Sequence, residues 1–191
     1  MDKHIFEIDK SSLTVTKKEI TNNYTHHIVT YKNIPMENMI LADGYIGILP
    51  FEIDKATGNI STVFLSKHHN FFRDDIRRSL IIDSYKDGVD NSPLDVVYRY
   101  FEQHLAVPLR DQSLNKIFYI GEIEMNNFLD GRIPCYAVNI TGMITSKENI
   151  FKVSEEFPRV VERVDYNDML KGVTHDFLAI SATFLLLSYL T

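Results

Sequence analysis

The side chains able to do chemistry gather in the run Asn91-Ser92-Pro93-Leu94-Asp95-Val96-Val97-Tyr98-Arg99-Tyr100-Phe101-Glu102-Gln103-His104-Leu105-Ala106-Val107. Asp95, Arg99 and Glu102 stand at i, i+4 and i+7, so on a helix they share a face and pair as a solvated ion ladder. Gln103 offers a neutral oxygen, and His104 a nitrogen that suits softer metals than magnesium. A second group, Lys67, Arg73, Arg77 and Arg78, carries guanidinium forks that suit phosphate oxygens; Asp74 and Asp75 interrupt it, and a solvated loop is the simpler reading. The adjacent pairs His26-His27 and His68-His69 would point to opposite faces of a strand, so at most one of each pair could ligate a metal. Cys135 stands in an apolar alternating run as an inert core thiol, and a single cysteine excludes an internal disulfide. The chain has no phosphate-binding glycine loop, nucleophile elbow or internal repeat.

The elements that must position these groups are marked in the sequence. Ser92 is a good N-cap, Pro93 suits the first helical position, and Asp95 favours the positive end of the helix dipole. Leu94, Val97, Phe101 and Leu105, with Val96 and Tyr98 less regularly, form an apolar stripe, and Pro108 stops the helix after Val107. Before the helix, Asp43 to Phe51 and Ser61 to Ser66 read as strands around the turn Thr57-Gly58-Asn59, and Leu80 to Ser84 as a further strand. After it, Lys116 to Ile123 and Ile133 to Ile140 read as strands. In residues 1–35, Ile5 to Ile8, Leu13 to Thr16 and Ile28 to Tyr31 suggest a small antiparallel meander.

Frame and spacing together resemble the Nudix hydrolases, whose signature is G-x5-E-x7-R-E-U-x-E-E-x-G-U, with U a large aliphatic residue. With Arg99 on the signature arginine, Phe101 and Val107 take the two U positions and Ser92-Pro93 follows the first glutamate position. Tyr85 then stands for the first glycine, Asn91 for the first glutamate, Tyr100 for the glutamate after the arginine, Gln103 and His104 for the glutamate pair, and Ala106 for the last glycine. None of the four acidic positions is acidic. Hydrolysis in this family needs divalent cations, and hard cations want several carboxylate oxygens at short range. Sliding the frame to make Glu102 a ligand turns it about 100° round the helix and expels Phe101 and Leu105 from the core.

The resemblance covers roughly residues 40 to 190. Asp43 to Phe51 looks like the opening strand of the ADP-ribose pyrophosphatase branch; Leu80 to Ser84 stands where that branch has a strand ending in E-L-P-A-G, with the proline and glycine replaced. Tyr166 to Phe177 resembles its closing motif, a short helix leading into a capped terminal helix. The implied fold is α/β (α+β), a mixed β-sheet sandwiched between helices, with an N-terminal β extension at 1–35 and the Nudix-like domain at 36–191. Such N-terminal strands often pack across a dimer partner in that branch, which the resemblance extends to this chain.

The 191 residues, 45% of them hydrophobic, suffice for one substantial core and a short appendage. A net charge of −6 argues against nonspecific nucleic-acid binding. Met1 to Ile5 has no apolar signal region, which points to a non-secreted, cytoplasmic protein. The run Phe177 to Leu190 carries no charge over 14 residues, fewer than the roughly 20 of a membrane span. Capped by Thr174, it reads as a helix buried on the sheet, or between sheet and a second subunit. Richness in Ile, Asn, Lys and Tyr suggests an AT-rich genome, such as that of a phage or a low-GC bacterium.

These features imply a catalytically inactive Nudix-fold protein that serves as a structural or protein-interaction subunit, with no metal and no cofactor. Its partners would be proteins or further copies of itself; in a phage it would sit in the particle. Two alternatives stand beside this: a nucleotide-diphosphate module of the ADP-ribose type that uses aromatic stacking and the arginines, and a hydrolase using the displaced carboxylates Asp83, Asp87, Asp90 or Glu102.

Overall fold

A computed structural model describes residues 13–20, 24–31, 34–41, 44–70, 75–86, 88–105, 107, 109–111, 116–124, 132–144, 150–152 and 160–190. The chain divides into two compact units, Met1–Asp43 with Glu124–Arg132, and Gly44–Ile123 with Ile133–Thr191. The first contains an antiparallel meander of β1 (Leu13–Ile20), β2 (Tyr24–Tyr31) and β3 (Ile34–Leu41), in the order β1-β2-β3. The register of β1 on β2 shifts between Val15 and Lys17. The expected strand at Ile5 to Ile8 lies outside the described residues.

The second unit is built on an eight-stranded mixed sheet. Its strands are β4 (Tyr45–Ile53), β5 (Ile60–Asn70), β6 (Asp75–Ser79), β7 (Ile81–Ser84), β8 (Ile117–Glu124), β9 (Arg132–Asn139), β10 (Ile150–Lys152) and β11 (Val160–Asp165). They run in the order β10-β11-β5-β4-β9-β8, with β6 also on β5 and β7 also on β4. The central strand β4 runs parallel to β9 and antiparallel to β5 and β7. Its far half, Phe51 to Ile53, pairs with β5, and its near half, Tyr45 to Ile48, pairs with β7. One edge of β4 is thus shared, and the chain leaving β7 is delivered beside the start of β4, where the helix begins.

Alternation in β4 supplies both layers of the core. Ile46 and Ile48 point to the face covered by α1 (Pro93–Tyr100), where they join Phe64, Ile81, Val96, Val97, Tyr100, Phe101, Val138 and Ile140. Leu49 and Phe51 point the other way, and Phe51 reaches Phe118, whose ring in turn meets Tyr189 of α3 (Phe177–Leu190). The sheet therefore lies between α1 on one side and α3 on the other. Gly47 is required where these layers meet, because an added Cβ would come within 2.8 Å of Cys135 Sγ and 2.9 Å of a Leu80 methyl.

The terminal helix differs in detail from its reading in the sequence. A short helix α2 (Tyr166–Leu170) precedes it, as the closing motif implies. Its cap is Asp176 rather than Thr174: Asp176 Oδ1 accepts from the Ala179 amide at 2.7 Å, while the Thr174 hydroxyl accepts from the Asp176 amide at 3.1 Å and donates to the Arg78 carbonyl. Ala179, Ala182, Thr183 and Leu186 are buried on the sheet, whereas Phe177, Phe184, Tyr189 and Leu190 are exposed. Among the described residues no helix is long and apolar enough to cross a membrane.

Candidate functional site

The start of α1 follows from its sequence. Ser92 Oγ accepts from the Asp95 amide at 3.3 Å and donates to Asp95 Oδ2 at 3.0 Å, and the Asn91 amide donates to that same oxygen at 3.0 Å. Ser92 thereby caps the helix in front of Pro93, and the Asp95 carboxyl ties the cap to the residue before it. The Ser92 and Asn91 bonds hold the Asp95 carboxyl below the usual carboxylate range.

The α-helical turns end at Tyr100, and Phe101 to Leu105 continue as a π-helical turn, a rare form with i→i+5 bonds. Gln103 and His104 lie within this widened turn, so they do not keep the angular position that an unbroken α-helix would give them. Phe101 and Leu105 both stay buried.

Arg99 does not join a solvated ladder with Asp95 and Glu102, as its spacing suggests; it is 4% exposed and points into the unit. The helix packs by Val96, Val97 and Tyr100, which places position 99 at the edge of the buried stripe rather than opposite it. There Arg99 Nε meets both oxygens of Asp90 at 3.1 Å, Nη2 donates to Asp90 Oδ2 at 2.9 Å and to the Ser84 carbonyl at 2.7 Å, and Nη1 donates to Asp83 Oδ2 at 2.9 Å. Asp90 also accepts from the Lys86 amide at 2.8 Å, which closes the turn that Gly88, at φ 73°, permits. The guanidinium holds the Asp90 carboxyl below its ordinary pKa. Burial alone would weaken the charge on Arg99, but Asp90 and Asp83 outweigh it and raise its pKa. Asp95 and Glu102 instead face Arg110, at 3.5 Å and 3.4 Å, on an exposed surface.

The other signature positions divide by exposure. Tyr100 is buried, its ring 4.9 Å from that of the half-buried His104 and edge-on to Phe101. Asn91 and Gln103 are exposed, and Ala106 lies outside the described residues. Tyr85 packs its ring on Gly44, whose φ of 118° and open Cα face leave room for it. Beyond it, Tyr136 and Tyr119 stand with rings 5.4 Å apart, and Tyr119 is half exposed. Burial raises the Tyr136 phenol, with further contributions from Tyr85 and Tyr119, and Tyr85 and Tyr136 both pack against the part of the core that α1 covers. Tyr119 and Tyr136 escape sequence reading because each looks like one more aromatic in an alternating strand; only the pairing of β9 with β4 sets Tyr136 beside Ile48.

Lys67 and Arg78 are opposed in register across β5 and β6, while Arg77 stands opposite His68 on the other face. Glu162 of β11 takes both of the first two, at 3.1 Å from Lys67 Nζ and 2.6 Å from Arg78 Nε. Burial would raise the Glu162 carboxyl, yet these two cations bring it below its usual range. Arg73 and Asp87 lie outside the described residues.

The donor set at the signature positions does not fit a hard divalent cation: two amides, a phenol and an imidazole replace the carboxylates that such ions select. Among the described residues no group of three or more His, Cys, Asp or Glu side chains is placed to hold a metal ion. Burial pushes the Cys135 thiol up to about 12, far from the range of a nucleophile.

No known protein family matches the sequence, and no characterised protein matches it at the sequence level. In three dimensions the chain resembles the crystal structure of an ADP compounds hydrolase, with a TM-score of 0.58 over 94% of each chain and 11% sequence identity. The fold is thus a mixed α+β one of Nudix type.

Proposed function

We propose that this chain is a Nudix-fold protein that has given up diphosphate hydrolysis and works as a protein-interaction subunit. The observation that carries this reading is the Arg99 centre. Asp83 of β7 and Asp90 of the loop that follows it are both turned onto one buried guanidinium. A carboxylate neutralised in this way is a poor ligand for magnesium, because the cation would have to displace Arg99 and leave it buried without a partner. Asp95 and Glu102, the acidic residues within the run 91–107, both face Arg110 at the surface. The π-helical turn adds a second obstacle, since it moves positions 103 and 104 out of α-helical phase with Arg99.

A second reading, a noncatalytic binder of an ADP-ribose-like nucleotide, is favoured by one feature, the half-exposed Tyr119 ring beside Tyr136, which offers a stacking surface to a base. Calorimetric titration with ADP-ribose in magnesium and then manganese, followed by assay for AMP, separates the readings. Silence in both is the expected result. Heat without AMP would make the protein a nucleotide-binding module, and AMP release would overturn the noncatalytic reading.

A further inference from the structure

The face of the second unit formed by α2 and α3 carries both a projection and a recess. Phe177 is 63% exposed and Phe184 59%, with Leu170 at 55% and Val173 at 38% beside them. Phe177, Ile180 and Phe184 stand at i, i+3 and i+7, so they form one stripe along α3, the phenylalanines about 10 Å apart along the axis. Between this stripe and α2 lies an apolar hollow of about 120 Å³, lined by Met169, Leu170, Gly172, Thr174, Ile180 and Phe184, with Thr183 at its base. A cavity of about 150 Å³ accommodates benzene, so the hollow is of the order of one phenyl ring.

From this pairing of knob and hole we infer that the α2–α3 face is a dimer interface, its occupant a second copy of this chain, with each copy's Phe177 seated in the other's hollow. A two-fold interface requires that one patch carry both halves of the fit, and this patch does. Charge points the same way. The chain has a net charge of −6, so two copies repel over most orientations, whereas Phe177–Leu190 carries no charge and can meet its own image without that penalty. Area agrees as well. The four exposed side chains leave roughly 400 Å² of apolar surface, close to the roughly 450–500 Å² of apolar area in an interface of about 800 Å² per partner. The exposed Lys171–Asp168 pair, at 3.3 Å, provides a polar residue pair for the rim.

This inference names the partner for the interaction role proposed above and rests on it. Self-association is read without nucleotide, whereas the noncatalytic half of that role fails only by AMP release, so the two failures are distinguishable. Sedimentation equilibrium of the full chain over a broad concentration series should show a monomer–dimer equilibrium, and Phe177→Asp should raise its dissociation constant roughly thirtyfold or more, the effect of a hot-spot residue. Because Phe177 is exposed, the variant should keep its circular dichroism spectrum. Should it misfold, Phe177→Cys mixed with Leu170→Cys decides the matter: oxidation should join the two variants into a covalent dimer that neither forms as readily alone. A chain that stays monomeric throughout, a dimer indifferent to Phe177→Asp, or no disulfide in the mixture would each overturn the inference.

Discussion

Replacing Arg99 by Met removes the cation that the loop from β7 to α1 is folded around. The methionine keeps the aliphatic stem, so the loss is mostly electrostatic. It leaves Asp90, whose side chain is 1% exposed, and Asp83, at 20%, without the guanidinium, and frees the Ser84 carbonyl that Nη2 reaches at 2.7 Å. Stripping one member from a buried ion pair costs about 3–5 kcal/mol, because the remaining charge is stranded. That is a large part of the roughly 5–15 kcal/mol that holds a domain folded. At about 2–4 °C per kcal/mol for a unit of this size, the melting temperature should fall by about 6–20 °C, followed by tyrosine fluorescence, as the chain has no tryptophan. Asp90→Asn on top of Arg99→Met should recover about half of the loss, since it removes the stranded charge. The pH dependence should separate the two proteins. In the parent Arg99 lowers the Asp90 pKa, so the pair stabilises above the unfolded value near 3.9 and that gain is lost as pH falls through the lower folded value. Arg99→Met removes that gain, so the deficit should be largest above the unfolded value and narrow as pH falls below it. A loss below about 1 kcal/mol at neutral pH, or a deficit that does not narrow as pH falls below about 4, would refute the claim that this centre holds the loop.

Glu162→Gln should cost about 1–2 kcal/mol in urea unfolding, as the carboxylate serves both Lys67 and Arg78 across three strands. Its contribution in the parent is present above the unfolded value near 4.3 and lost as pH falls through the lowered folded pKa, so parent and variant should converge in acid. Gly47→Ala should cost about 1–3 kcal/mol by overpacking against Cys135 and Leu80, and Cys135→Ala in the same chain should restore part of it. The Cys135 thiol, pushed up to about 12, should resist disulfide reagents at pH 8 until the protein unfolds, so the reaction rate should track denaturant. Gln103→Glu with His104→Glu should leave AMP release from ADP-ribose at background in magnesium, because the π-helical turn and the carboxylates committed to Arg99 remain; magnesium-dependent turnover would refute this.

The strands that bear the core were legible because each is an alternating or wholly apolar run, as β4, β8 and β9 are. The strands β6, β10 and β11 were missed for a physical reason. Asp75 to Ser79 is polar at most positions and becomes a strand by pairing with the end of β5, while Val160 to Asp165 is short and interleaved with Glu162 and Arg163. Their stability comes from partners distant in sequence, which local pattern does not reveal. The start of α1 was legible to the residue, since capping is local chemistry. Its far end was not, because the π-helical turn keeps the same apolar residues inside and so leaves no trace in their spacing.

Arg99 shows the same limit at the level of a site. At i+4 from Asp95 it satisfies every local rule for a surface pair, and the rule fails because Asp90, nine residues earlier, and Asp83, sixteen earlier, arrive by way of the β7–β4 pairing and a tight turn at Gly88. Arg99 is thus held inside the unit by carboxylates that its own helix does not supply. A buried arginine needs carboxylates, and here β7 supplies one and the loop after it the other. The loop, β7 and the last turn of α1 are tied together through Arg99 whether or not any diphosphate is cleaved beside it.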